Sequence, residues 1–76
     1  MDLPNYRGGY FVGQVIENQQ DEITTYIPDG VGRWVCKYGD TYEGHWQNGK
    51  FNGYGRKIYN EGQLHEGNWV NDLPHG

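Results

Sequence analysis

One cysteine is present, Cys36, so the chain cannot close a disulfide within itself. That removes the small secreted scaffolds held together by sulfur, and an intracellular, reducing setting is the expectation. Bases are scarce too. Six Lys and Arg stand against ten Asp and Glu, for a net charge of −4. Nucleic-acid binding needs a basic patch, and anionic membrane surfaces favour clustered Lys and Arg. The balance disfavours both. Glu17, Asp21, Glu22 and Asp29 fill the stretch between Gly8 and Gly32 with no base among them. No apolar run approaches the length of a membrane-spanning helix. The opening MDLPNYRGGYF lacks the basic-then-apolar order of a signal peptide. No segment shows a helical apolar stripe.

What is present in excess is glycine and aromatic side chains. Thirteen of 76 residues are glycine, and aromatics make up 16%. Disordered chains are poor in aromatics. Glycine mixed with tyrosine and tryptophan points to strands, tight turns and rings packed over bare backbone. A chain this short buries only about 60% of its unfolded surface. Its core alone supplies about 3–5 kcal/mol. Such chains commonly depend on a partner.

The glycines are periodic. GVGRWVCKYGDTYEGHW, from Gly30 to Trp46, lies over GYGRKIYNEGQLHEGNW, from Gly53 to Trp69, at a shift of 23 residues. The two share Gly30/Gly53, Gly32/Gly55, Arg33/Arg56, Gly39/Gly62, Glu43/Glu66, Gly44/Gly67 and Trp46/Trp69. Fixed-period self-similarity marks a repeat architecture. Towards the N-terminus FVGQV, from Phe11, falls over YEGHW, from Tyr42, after which the first unit carries extra residues at about 17–29.

Within a unit the local chemistry is that of strands. Tyr42, Gly44 and Trp46 alternate with Glu43, His45 and Gln47, the period-two pattern of a half-buried strand. Asn48-Gly49 is a strong hairpin signal. A second strand is expected over residues 54–59 and a third over 63–70. Glycine inside a strand weakens the ladder unless another group must approach closely. Gly44, Gly67, Gly53 and Gly55 therefore read as seats for aromatic rings. The expected architecture is an all-β antiparallel meander of successive β-hairpins, with about 23 residues per repeat.

YEGHWQNGKFNGYGRKIY, from Tyr42 to Tyr59, resembles the MORN repeat, membrane occupation and recognition nexus. That motif runs Y-E-G-x-W, then a short turn with G-K, then G-x-G. Residues 42–64 follow it throughout. Residues 65–76 form a partial repeat with His65 for the first Tyr and Asp72 for a Gly. Residues 10–41 form a divergent first unit with the insertion at about 17–29, and residues 1–9 an N-terminal extension. The resemblance implies a single-layer β-sheet. It also implies a non-enzymatic scaffold that docks on other proteins of a larger complex, ciliary, axonemal or otherwise cytoskeletal, in the cytoplasm; an organellar complex fits as well. The alternative it carries is a peripheral phosphoinositide-binding module, with Arg33, Arg56, Lys50 and Lys57 meeting headgroups.

The residues expected in the ring stack are Phe11, Trp34, Tyr42, Trp46, Tyr54, His65 and Trp69. The repeat glycines are Gly13, Gly30, Gly32, Gly44, Gly53, Gly55 and Gly67. Catalytic chemistry finds no constellation. Glu43 and Glu66 recur on the open face without a walled pocket to split their pKa values. His45, His65 and His75 lack zinc-type spacing. GVGR and GYGR lack the third glycine and helix start of a dinucleotide fingerprint. Cys36 has no base arranged near it in sequence. The expectation is no catalytic residue, no metal, no cofactor and no small-molecule substrate. The insertion divides in two: IENQQDE suits a loop, whereas ITTYI has strand propensity. It is the unit's individual feature and the first candidate for partner specificity.

Overall fold

The computed structural model describes residues 1–75; Gly76, the last residue of the expected partial repeat, lies outside them. Seven antiparallel strands form one open sheet in chain order, each hairpin-linked to the next. They are β1 (Asp2–Tyr6), β2 (Gly9–Gln20), β3 (Ile23–Cys36), β4 (Thr41–Gln47), β5 (Lys50–Ile58), β6 (Leu64–Val70) and β7 (Leu73–His75). The all-β hairpin meander expected from the sequence is the fold of the molecule.

Two kinds of turn connect the strands. Four are two residues long: those of β2–β3, β4–β5 and β6–β7 at one end of the sheet, and that of β1–β2 at the other. Arg7-Gly8, Asp21-Glu22, Asn48-Gly49 and Asn71-Asp72 all place both residues at positive φ, the type I′ geometry that matches strand twist. At the other end, β3–β4 and β5–β6 use longer turns with one shared pattern. Cys36 N donates to Asp40 O at 2.7 Å, and Tyr59 N donates to Gln63 O at 2.8 Å. Those donors and acceptors stand one repeat apart.

Each repeat also carries the same irregularity. From Gly13↔Gly32 to Val15↔Pro28 the register advances two residues on β2 and four on β3. From Gly44↔Gly55 to Trp46↔Phe51 it does the same on β4 and β5. Such bulges bend a sheet and sharpen its twist. Gly30 and Gly53 sit inside them at φ 104° and 102°, a backbone state closed to ordinary side chains. The first glycine of each G-x-G is therefore a bulge residue.

The bends curl the sheet around one face. Tyr6, in β1, donates its hydroxyl to the carbonyl of Gly49 in the β4–β5 turn at 2.8 Å. In a flat sheet β1 and β4 would stand three strand spacings apart, about 14 Å, beyond a tyrosine's reach. The core occupies the concave face: Phe11, Trp34, Tyr42, Trp46, Phe51 and Trp69 are all buried there, packed upon by Leu3, Tyr6, Val15 and Cys36. A single curled layer thus encloses its own rings. Residues 2–6, expected as part of an extension, belong to this sheet as β1 and contribute Tyr6 to the core.

The insertion is a strand pair. Ile16↔Ile27, Glu17↔Tyr26, Asn18↔Thr25, Gln19↔Thr24 and Gln20↔Ile23 continue the β2–β3 ladder out to the Asp21-Glu22 turn. The loop expected over IENQQDE gives way because a two-residue turn at Asp21-Glu22 lets the polar strand pair with ITTYI, whose β-branched residues favour extension. The result is an arm projecting from the sheet.

Candidate functional site

The concave face is assembled from strand alternation. On β4 Tyr42, Gly44 and Trp46 point inward; on β5 Phe51, Gly55 and Lys57 do; on β6 His65, Gly67 and Trp69 do. The repeat glycines meet across the strands. Gly13↔Gly32, Gly32↔Gly44, Gly44↔Gly55 and Gly55↔Gly67 are register pairs. This ladder leaves a trough of bare backbone across five strands, and rings fill it from β2 to β5; Gly67, expected as a ring seat, has open space over it. A methyl group on Gly32 would collide with the Phe11 ring, and one on Gly55 with the Tyr42 ring.

The second glycine of each G-x-G has another partner. Trp46 Nε1 donates to Gly32 O at 3.1 Å, and Trp69 Nε1 donates to Gly55 O at 3.2 Å. Both indole N–H groups are buried and so require an acceptor. One glycine thus seats a ring and holds the tryptophan of the next strand. Tyr42 and Phe51 stack at 3.9 Å with planes 7° apart, and Trp46 and Trp69 meet both edge-on. Burial pushes the Tyr42 hydroxyl up to about 12, with the Asp72 carboxylate acting in the same direction.

Of the seven expected stack residues, Phe11, Trp34, Tyr42, Trp46 and Trp69 are buried together. His65 is half-buried and meets Trp69 edge-on at 5.1 Å. Tyr54 is a correction. It is 55% exposed, on the convex face, with its hydroxyl donated to Glu66 Oε2 at 2.9 Å. Counting by twos from the seated Gly55 turns its neighbour outward. That hydrogen bond raises the Tyr54 pKa above its ordinary value.

Phe51 was not expected, because FNG reads as turn. The turn is only Asn48-Gly49, and β5 already begins at Lys50. Tyr6, Arg7 and Asp72 were equally unforeseen. Arg7 Nη1 lies 3.0 Å from Asp72 Oδ1 and 3.2 Å from Gly49 O. Its guanidinium carbon stands 5.1 Å from the Phe51 centroid and 5.8 Å from that of Trp34. The one legible sign was Asp72 itself, which replaces the repeat's glycine; its Oδ1 also accepts Phe51 N at 2.9 Å.

The four bases expected to meet lipid do not converge. Arg33 and Arg56 are on the convex face, where the register runs Arg33↔Glu43↔Arg56↔Glu66. Each arginine lies opposite a glutamate, so the row alternates in sign. Lys57 is on the concave face, its Nζ 4.8 Å from the Tyr59 centroid and 5.5 Å from that of Phe51. Lys50 is exposed beside the β4–β5 turn, paired with Gln47. His45 is exposed on the convex face, and His75 is exposed in β7. Cys36 is a free, half-buried thiol.

The MORN repeat profile matches residues 42–64 and 65–76. The chain carries MORN repeats. No curated protein matches it. MORN repeats are non-catalytic modules that mediate contacts with proteins or membrane lipids. The matched residues contain the ring seats Gly44 and Gly55 of β4 and β5 and the buried Trp69 of β6. The arm lies outside them, and so does Arg7.

The arm offers the main surface outside the curl. Beyond Gly13, β2 has no register partner on its β1 side among the described residues. Before Gly30, β3 has none on its β4 side. Ile16, Ile23 and Tyr26 are 39%, 64% and 40% exposed. Ile16 pairs with Ile27 and Gln20 with Ile23, which puts the isoleucines on one face of the arm.

Proposed function

We propose that this chain is a non-enzymatic scaffold or interaction subunit that docks within a larger multiprotein assembly of the cytoskeleton, ciliary or axonemal in kind. The carrying observation is the arm: an antiparallel strand pair with both long edges unpaired and isoleucines on one face. Unpaired strand edges invite another strand, and strand addition is a recurrent mode of protein recognition. The MORN repeats support an interaction role, and the cytoskeletal setting follows from the habit of the family. A non-enzymatic role is supported by Glu43 and Glu66, which stand in an open row with Arg56 between them.

Phosphoinositide binding, the alternative, draws less support. Its arginines each face a glutamate across the ladder, which reduces the potential a headgroup would meet.

The test is affinity capture of the tagged full chain from native ciliated cells, with an Ile23→Lys, Thr24→Pro version alongside, since the Thr24 N–H faces the open edge. Both changes disable the β3 edge of the arm and leave the repeats untouched. The reading expects axonemal or other cytoskeletal proteins with the unaltered chain and their loss with the altered one. Equal recovery from both chains would defeat it. So would flotation of the chain with phosphoinositide vesicles but with no recovered protein partner.

A further inference from the structure

The contacts of Arg7 describe a small recognition site. Trp34 and Phe51 stand within cation–π range of the guanidinium, at 5.8 Å and 5.1 Å. Gly49 O and Asp72 Oδ1 accept from Nη1 at 3.2 Å and 3.0 Å. Arg7–Asp72 is the one ion pair among the described residues. Aromatic walls with a carboxylate and a carbonyl suit a flat, delocalised cation with several donors, which is arginine more than lysine.

Two of these walls are held without help from Arg7. Phe51 is stacked on Tyr42. Asp72 is tied through the same Oδ1 to Phe51 N at 2.9 Å. The occupant is the weaker party. Arg7 follows β1, a five-residue edge strand joined to β2 by three register pairs with a break between Leu3 and Tyr6. Opening it breaks the Tyr6 hydroxyl bond to Gly49 O and the Trp34 Nε1 bond to Tyr6 O, so the open state is a minor one, drawn from the short edge where local opening concentrates. The Arg7 side chain is itself 36% exposed.

We propose that Trp34, Phe51, Asp72 and the Gly49 carbonyl form an arginine socket, filled by Arg7 within the chain, which an arginine-bearing extended segment of a partner protein enters when β1 lifts. Charge selects the partner. Two copies of this chain, at −4 each, repel, whereas a basic segment is attracted. The socket is separate from the arm, so either site can fail without the other.

The probe is a fluorescently labelled peptide of the chain's own residues 5–9, read by anisotropy against full-length Arg7→Ala and the unaltered chain. In the unaltered chain Arg7 competes, and the apparent affinity falls by the fraction of open socket. The expected result is roughly tenfold or more tighter binding to Arg7→Ala. Binding should vanish when the peptide's arginine becomes glutamine, or when Asp72→Asn is added. Should Arg7→Ala lose its β-sheet circular dichroism, full-length Arg7→Lys serves, with a smaller gain. Binding to a folded variant no tighter than to the unaltered chain overturns the proposal. Equal binding of the arginine and glutamine peptides also overturns it. A concentration-dependent dimer that Arg7→Ala abolishes gives the socket to a second copy and overturns the partner assignment.

Discussion

The repeat sheet between Gly30 and Val70 and the arm between Ile16 and Ile27 share one kind of backbone pairing. Both are antiparallel ladders with a type I′ turn, Asn48-Gly49 in the repeats and Asp21-Glu22 in the arm. They differ in glycine and rings. From Gln14 to Asp29 there is no glycine and one aromatic residue, Tyr26, whereas each of β4, β5 and β6 carries one inward glycine and at least one buried ring. The arm buries almost nothing, and the repeats bury five rings to 7% exposure or less. Ladder hydrogen bonds largely exchange for bonds to water and contribute little net. Burial of rings at about 150–250 Å² each contributes far more. What makes one layer self-sufficient is the bare glycine trough in which the rings lie.

The largest expected effect tests the ring side of that contrast. Phe51→Ala should cost about 3–5 kcal/mol, read as a shift in the urea midpoint in stabilising osmolyte. A loss below 1 kcal/mol would equate the sheet with the arm. Next comes the seat. Gly55→Ala drives a methyl group into the Tyr42 ring and should cost about 3 kcal/mol or more.

Alkaline pH probes the ring side of the comparison, because Tyr42 is buried in the stack. Below pH 10 folded and unfolded chains both keep the Tyr42 phenol protonated. Between pH 10 and about 12 only the unfolded chain gives up that proton, so stability falls as pH rises. Allowing for partial solvation, the fall should be about 1–2 kcal/mol, and Tyr42→Phe should remove that part of the slope. Gly67→Ala comes next. A methyl there meets nothing within 4 Å, and only the backbone at φ 155° objects, so about 1 kcal/mol is expected. The smallest effect is in the arm. Ile23→Ser should stay within about 0.5 kcal/mol, with amide exchange over residues 16–27 far faster than over β4 and β5.

Much of the fold was legible because the 23-residue period places the same turn and strand chemistry in register. Glycine and tryptophan recur visibly, and alternation from Tyr42 to Trp46 shows which side is buried. The misread positions share a cause: each depends on where a turn ends or on contacts far apart in sequence. Phe51 was lost because the turn ends at Gly49 and β5 begins at Lys50, four residues before the strand start expected at Tyr54. Tyr54, bracketed by glycines, reads as a seated ring, yet its neighbours are one bulge residue and one seat. Nothing local marks Arg7, since its partners Gly49 and Asp72 come within reach only after the bulges curl the sheet. The arm's polar half pairs because its hydrophobic half offers a strand, a non-local decision that propensity alone does not make.

The account rests on rings seated over bare backbone, and a double-mutant cycle between Tyr42→Leu and Gly55→Ala addresses it directly. If the Tyr42 ring is what a side chain at position 55 displaces, removing the ring should relieve most of the Gly55→Ala penalty. A coupling of about 2 kcal/mol is the expected result. Additive losses, with coupling within about 0.3 kcal/mol of zero, would contradict it.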